Sequence, residues 1–107
     1  MNESDFDQLA EDTMTAIEEA IDDCGVDIDY DSGGGILTLE FANRSQIIIN
    51  RQTPLSQIWV AARSGGYHFD YDAQDQCWRL QGDGEELFSC LGRYCSEQAG
   101  ETVNLGG

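Results

Sequence analysis

Between Val26 and Leu80 the chain runs through a succession of β-branched and aromatic segments separated by short breaks. Val26, Ile28 and Tyr30 alternate with Asp27, Asp29 and Asp31, the period of two that marks a half-buried strand with one acidic face. Further strands read from Ile36 to Phe41, Gln46 to Arg51, Gln57 to Arg63 and Gly66 to Asp72, with a shorter one around Cys77-Trp78-Arg79-Leu80. The punctuation is Gly33-Gly34-Gly35, Ala42-Asn43-Arg44, Thr53-Pro54, Ser64-Gly65 and Ala73 to Gln76. Parallel neighbours need a crossover of a dozen or more residues, so breaks of this length point to antiparallel hairpins and a meander.

Helical patterns flank the strands. From Ser4 to Cys24, Phe6, Leu9, Ala10, Met14, Ile17, Ala20 and Ile21 mostly recur at steps of three and four, with Ser4 the expected N-cap and Gly25 a stop. A second helix is expected after Asp83 as N-cap, with Glu86 three residues on, an apolar side of Leu87, Phe88, Leu91, Tyr94 and Cys95, and an end near Ala99-Gly100. The order predicts an α+β fold, a two-layer sandwich with both helices on one face of a five- to six-stranded antiparallel sheet. The other face is left for solvent or a partner. Its 107 residues suit one domain, 1–107, with helix about 4–24, strands within about 26–80, helix about 84–98 and an irregular tail over 99–107.

Charge is distributed very unevenly over this frame. Residues 1–43 hold 13 acids and no base, whereas all five bases, every one an arginine, lie from Arg44 onward. The net charge of −16 repels nucleic acid and anionic lipid and favours metal cations or basic protein surfaces. Within the first helix Glu18 with Asp22 and Glu19 with Asp23 are like-charge pairs at i,i+4, each destabilising by roughly 0.2–0.5 kcal/mol. The same four acids crowd the helix C-terminus, where the macrodipole disfavours anions. A local rule broken twice at one place points to function. Carboxylates without histidine or thiolate neighbours suit hard, oxygen-seeking ions such as Ca²⁺, Mg²⁺, Mn²⁺ or iron. Asp27, Asp29 and Asp31 imitate an EF-hand start, but Ser32 and Thr38 stand where Gly and Glu are needed.

Other classes fare worse. No stretch approaches the roughly 20 apolar residues of a membrane span, and Met1-Asn2-Glu3-Ser4-Asp5 lacks the basic start of a signal peptide, so a soluble cytoplasmic protein is expected. Cys24, Cys77, Cys90 and Cys95 show no CxxC pairing and read as free thiols. His68 is the only histidine and lies in a strand pattern, and no nucleophile–base set, P-loop or dinucleotide fingerprint is present. An enzyme is not expected.

The most distinctive segment is Ile47-Ile48-Ile49-Asn50-Arg51-Gln52-Thr53-Pro54-Leu55-Ser56-Gln57-Ile58-Trp59-Val60, followed by Gly65-Gly66-Tyr67-His68-Phe69. It resembles the signature of the frataxin family in its bacterial form. With the acidic first helix, the Asp27-Ile28-Asp29 strand, the Trp78 strand and the closing helix, the resemblance covers essentially the full length. It implies a helix, a five- to seven-stranded antiparallel sheet and a second helix. It also implies weak binding of ferrous and ferric iron along an acidic ridge, with other hard divalent or trivalent cations able to substitute.

The same resemblance implies a role in iron–sulfur cluster assembly, as a regulator or adaptor docked on the cysteine desulfurase and its scaffold protein, and as iron donor or sensor. The implied ridge is Glu18, Glu19, Asp22, Asp23, Asp27, Asp29 and Asp31, with Glu3, Asp7, Glu11 and Asp12 outlying; the implied partner face is Asn50, Gln52, Gln57 and Trp59. Alternation puts Asn50 and Gln52 on one side of their strand and Arg51 on the other. The expected state is a monomer that iron can drive into oligomers, without nucleic acid or membrane. The competing reading is an acidic inhibitor or mimic that fills a basic groove without metal. An iron-oxidising enzyme ranks last, since no Glu-x-x-His diiron set is present.

Overall fold

The computed structural model describes residues 2–106; Met1 and Gly107, the two ends of the predicted domain, lie outside the described residues. Helix α1 (Glu3–Asp23) is followed by strands β1 (Ile28–Gly33), β2 (Ile36–Phe41), β3 (Gln46–Gln52), β4 (Gln57–Ala62), β5 (Gly65–Asp72) and β6 (Cys77–Leu80), and by helix α2 (Leu87–Ala99). The six strands form one sheet in chain order, every neighbouring pair antiparallel, as the short breaks predict. Gly34 and Gly35, at φ 62° and 81°, form the two-residue turn between β1 and β2, a left-handed backbone that a side chain would strain.

Alternation decides which face is covered. Leu37, Leu39, Phe41, Ile47, Ile49, Ile58, Val60, Phe69 and Trp78 are buried beneath Phe6, Ala10, Ile17 and Ile21 of α1 and Leu87, Leu91, Tyr94 and Cys95 of α2. Burying each large side chain contributes about 1.5–3 kcal/mol, and a one-residue slip in register would turn that set to water. Phe6 meets Trp78 edge to face at 5.9 Å, and Tyr94 stacks on Tyr67 at 4.4 Å. The Trp78 indole N–H donates to Thr13 Oγ1 at 2.9 Å, so the buried ring leaves no orphan donor. The four cysteines are free. Among the described residues no helix is long and apolar enough to cross a membrane.

Two local expectations need correction. Asn2, not Ser4, caps α1: its side chain accepts from the Asp5 amide at 2.8 Å, which places Ser4 inside the first turn. Glu86, not Asp83, caps α2, accepting from the amides of Phe88 at 2.9 Å and Ser89 at 3.3 Å. The reason is tertiary. Leu80 donates to Glu85 O and Glu86 bridges to Arg79, so this stretch stays extended beside β6 while Asp83 closes a turn onto the Glu85 amide. The tail has no regular structure, yet Val103 and Leu105 are buried in the core, and the Val103 amide donates to Ser96 Oγ at 2.8 Å.

Candidate functional site

The structure divides the seven ridge carboxylates between two sides of the sheet edge. Ile28 is buried under the helices, so Tyr30 shares its side while Asp29 and Asp31 project from the uncovered face. Glu18, Glu19, Asp22 and Asp23 occupy the last turns of α1 on the helix side, and Asp27 lies in the link between α1 and β1. Tyr30, predicted as a half-buried member of the strand, is 36% exposed at this edge and donates to Asp22 Oδ2 at 2.9 Å. That hydrogen bond, then burial and the charges of Asp22 and Glu18, holds the phenol above its ordinary ionisation range.

On the helix side Glu18 is half-buried and lines a hollow of about 250 Å³ with Glu11, Thr15, Ser32 and Arg51. Arg51 points here, as alternation predicts, and lies 3.5 Å from Glu11. A Cβ at Gly35 would sit 2.8 Å from Arg51 Nε, so the glycine admits the arginine stem.

On the uncovered side Asp29 lies directly opposite Glu40 and Asp31 opposite Thr38. Together with Gln46 they line a hollow of about 390 Å³. Like charges opposed across a strand pair destabilise by roughly 0.2–1 kcal/mol, and a cation between them would relieve that repulsion. Glu40 is a candidate that reading the sequence missed. Its strand parity is legible, but its place beside Asp29 depends on the β1–β2 register. Among the described residues no three His, Cys, Asp or Glu side chains converge to hold a metal ion. Carboxylates spaced this way offer a hydrated hard cation one or two oxygens at a time.

Asn50, Gln52, Gln57 and Trp59 all stand on the uncovered face. Asn50 is the cross-strand partner of Trp59, and Gln52 of Gln57. The Trp59 ring is half-buried and stacks on His68, with centroids 4.2 Å apart and planes 8° from parallel, and its N–H donates to Gln57 Oε1 at 2.8 Å. Ile36, opposite Asn50, and Ile48, opposite Ala61, are exposed on the same face. His68 and the two isoleucines were also missed as members of this surface, although their strand parity carries the signal.

The Frataxin-like domain family matches residues 1–101. This chain belongs to the frataxin family. The iron-sulfur cluster assembly protein CyaY of Photobacterium profundum is 49% identical to it over 104 residues, 97% of each chain. The solved frataxin of Psychromonas ingrahamii matches with a TM-score of 0.90 at 42% identity, over 100% of both chains. A trimeric frataxin of the yeast Saccharomyces cerevisiae complexed with ferrous iron matches with a TM-score of 0.60 at 26% identity, over 94% of this chain and 88% of that one. The helix, six-stranded sheet and closing helix described above are the frataxin fold.

Proposed function

We propose that this frataxin works in iron–sulfur cluster assembly as a cytoplasmic, non-catalytic iron-binding protein that regulates the cysteine desulfurase–scaffold complex. One observation supports this reading above the others: carboxylates held against helix rules and a flat aromatic–amide surface are built on different elements of a chain nearly half identical to a cluster assembly protein. In this reading iron is cargo. Glu18, Glu19, Asp22, Asp23, Asp27, Asp29 and Asp31 hold Fe²⁺ or Fe³⁺ weakly, each giving one or two oxygens while water completes the shell. Weak binding suits delivery or sensing, because the ion must leave again. Asn50, Gln52, Gln57 and Trp59 dock the protein on its partners, Trp59 supplying the buried-area anchor of the contact. The acidic field adds long-range attraction to a basic partner surface.

Two measurements test the two surfaces separately. Fe²⁺ titration followed by NMR should broaden signals of residues 18–31 first, whereas no response at millimolar iron favours the metal-free acidic mimic. Pull-down with purified desulfurase and scaffold should weaken when Glu18, Glu19, Asp22 and Asp23 are all neutralised, and again when Trp59 becomes alanine. Wild-type capture by both variants would refute docking through these faces.

A further inference from the structure

Trp59 sits in a closed circuit of contacts that crosses two strands and the residue after β6. Its N–H donates to Gln57 Oε1 at 2.8 Å, which fixes the Gln57 amide with Nε2 as the remaining donor. That Nε2 donates to Asp70 Oδ1 at 3.1 Å, and the other carboxylate oxygen, Oδ2, accepts from Gln81 Nε2 at 3.0 Å. The Gln81 backbone N–H donates to His68 O at 3.0 Å, and the His68 ring stacks back on Trp59. Asp70 is the member that holds two amides at once. Its cross-strand neighbour Arg79 is engaged instead with Asp72 and Asp75, which leaves both Asp70 oxygens to the glutamines.

We infer that Asp70, acting through Gln57, is a positioning residue that presets the Trp59 indole for docking. The inference rests on the reading of the Trp59 face as the partner surface. A half-exposed tryptophan free to turn loses rotamer freedom when a partner closes on it, and presetting the ring removes that loss before binding. The same circuit consumes the indole N–H, so a partner meets the ring itself rather than its hydrogen-bond donor.

A charge-conserving swap tests this. Asp70→Ala removes both acceptors, and Gln57→Glu sets one carboxylate against another. In the double variant Gln57→Glu with Asp70→Asn, the residue at 57 accepts from Trp59 and from the new amide at 70, whose oxygen still faces Gln81. Net charge equals that of the wild type. Affinity for purified cysteine desulfurase with its scaffold should fall about tenfold in each single variant and return in the double. The Trp59 indole N–H signal in ¹⁵N NMR should shift and exchange faster in the single variants and recover in the double, while the Trp78 signal stays in place and reports an intact fold. If Trp59→Ala weakens binding while both single variants bind like the wild type, the role of Asp70 is overturned and the docking surface stands. Loss in the single variants without recovery in the double also overturns it. Trp59→Ala binding like the wild type overturns the docking surface, and the role of Asp70 with it.

Discussion

Tyr30 donates its phenol to Asp22 Oδ2 at 2.9 Å, tying the edge strand β1 to the last turn of the acidic helix. One carboxylate of the proposed ridge is therefore already engaged before any cation arrives. Tyr30→Phe should leave the fold intact, free Asp22, and increase iron-induced broadening at residues 22 and 23 at a given Fe²⁺ concentration. Identical titration profiles for variant and wild type would show that the bond does not compete with metal.

The acids at the end of α1 oppose one another and the helix dipole, and no base stands in the last turn to offset them. Replacing Glu18 and Glu19 by Gln and Asp23 by Asn, with Asp22 kept so that Tyr30 retains its partner, should raise stability by on the order of 1 kcal/mol at low salt. The gain should shrink as salt screens the repulsion. Urea denaturation at two ionic strengths measures both effects; a midpoint that falls at low salt contradicts the account.

Tyr94 is buried, and its hydroxyl has no nitrogen or oxygen partner among the described residues; the nearby Cys90 thiol is a poor substitute. Tyr94→Phe keeps the stack on Tyr67 and removes a polar atom that burial penalises. We expect stability unchanged or higher by up to about 1 kcal/mol, where most large buried side chains lose stability when altered. A clear loss in a denaturant melt would mean that the hydroxyl has a partner in solution.

Burial, followed by the proximity of Cys24, pushes the Cys95 thiol from its ordinary 9.0 up to about 12. In the unfolded chain the thiol ionises near 9, while in the folded chain it stays protonated until about 12. Its contribution to stability is thus complete below pH 9 and is lost as pH rises through that window. Melts between pH 8 and 11 should show the decline, and Cys95→Ala should flatten it despite a lower starting stability. Equal slopes in the two proteins would assign the alkaline loss to other groups.

Much of the fold was legible because its signals are local. The alternation from Ile36 to Phe41 and from Gln46 to Gln52 places each side chain on one face or the other, and the short breaks leave antiparallel pairing as the simple solution. Capping was less legible. Asn2 and Ser4 can both cap in isolation; at α2 Asp83 is the better cap by residue type, and Glu86 takes the place because residues 85 and 86 are held against β6. The buried tail residues Val103 and Leu105 carry no period at all, so only their seat beside α2 reveals them.

By itself the sequence determined the strand parity, the two helices, the one-sided core and the concentration of carboxylate in the first 43 residues, since each depends on composition or spacing within a few residues. Tertiary structure alone decided which groups meet. The β1–β2 register sets Asp29 against Glu40 on the uncovered face, while Asp22 of α1 meets Tyr30 on the other side of the same edge. The Gln57 amide that accepts from the Trp59 indole likewise meets Asp70 and, through it, Gln81, from separate stretches of chain. Parity is a property of one strand, but a neighbour across strands exists only once long-range pairing has fixed the register.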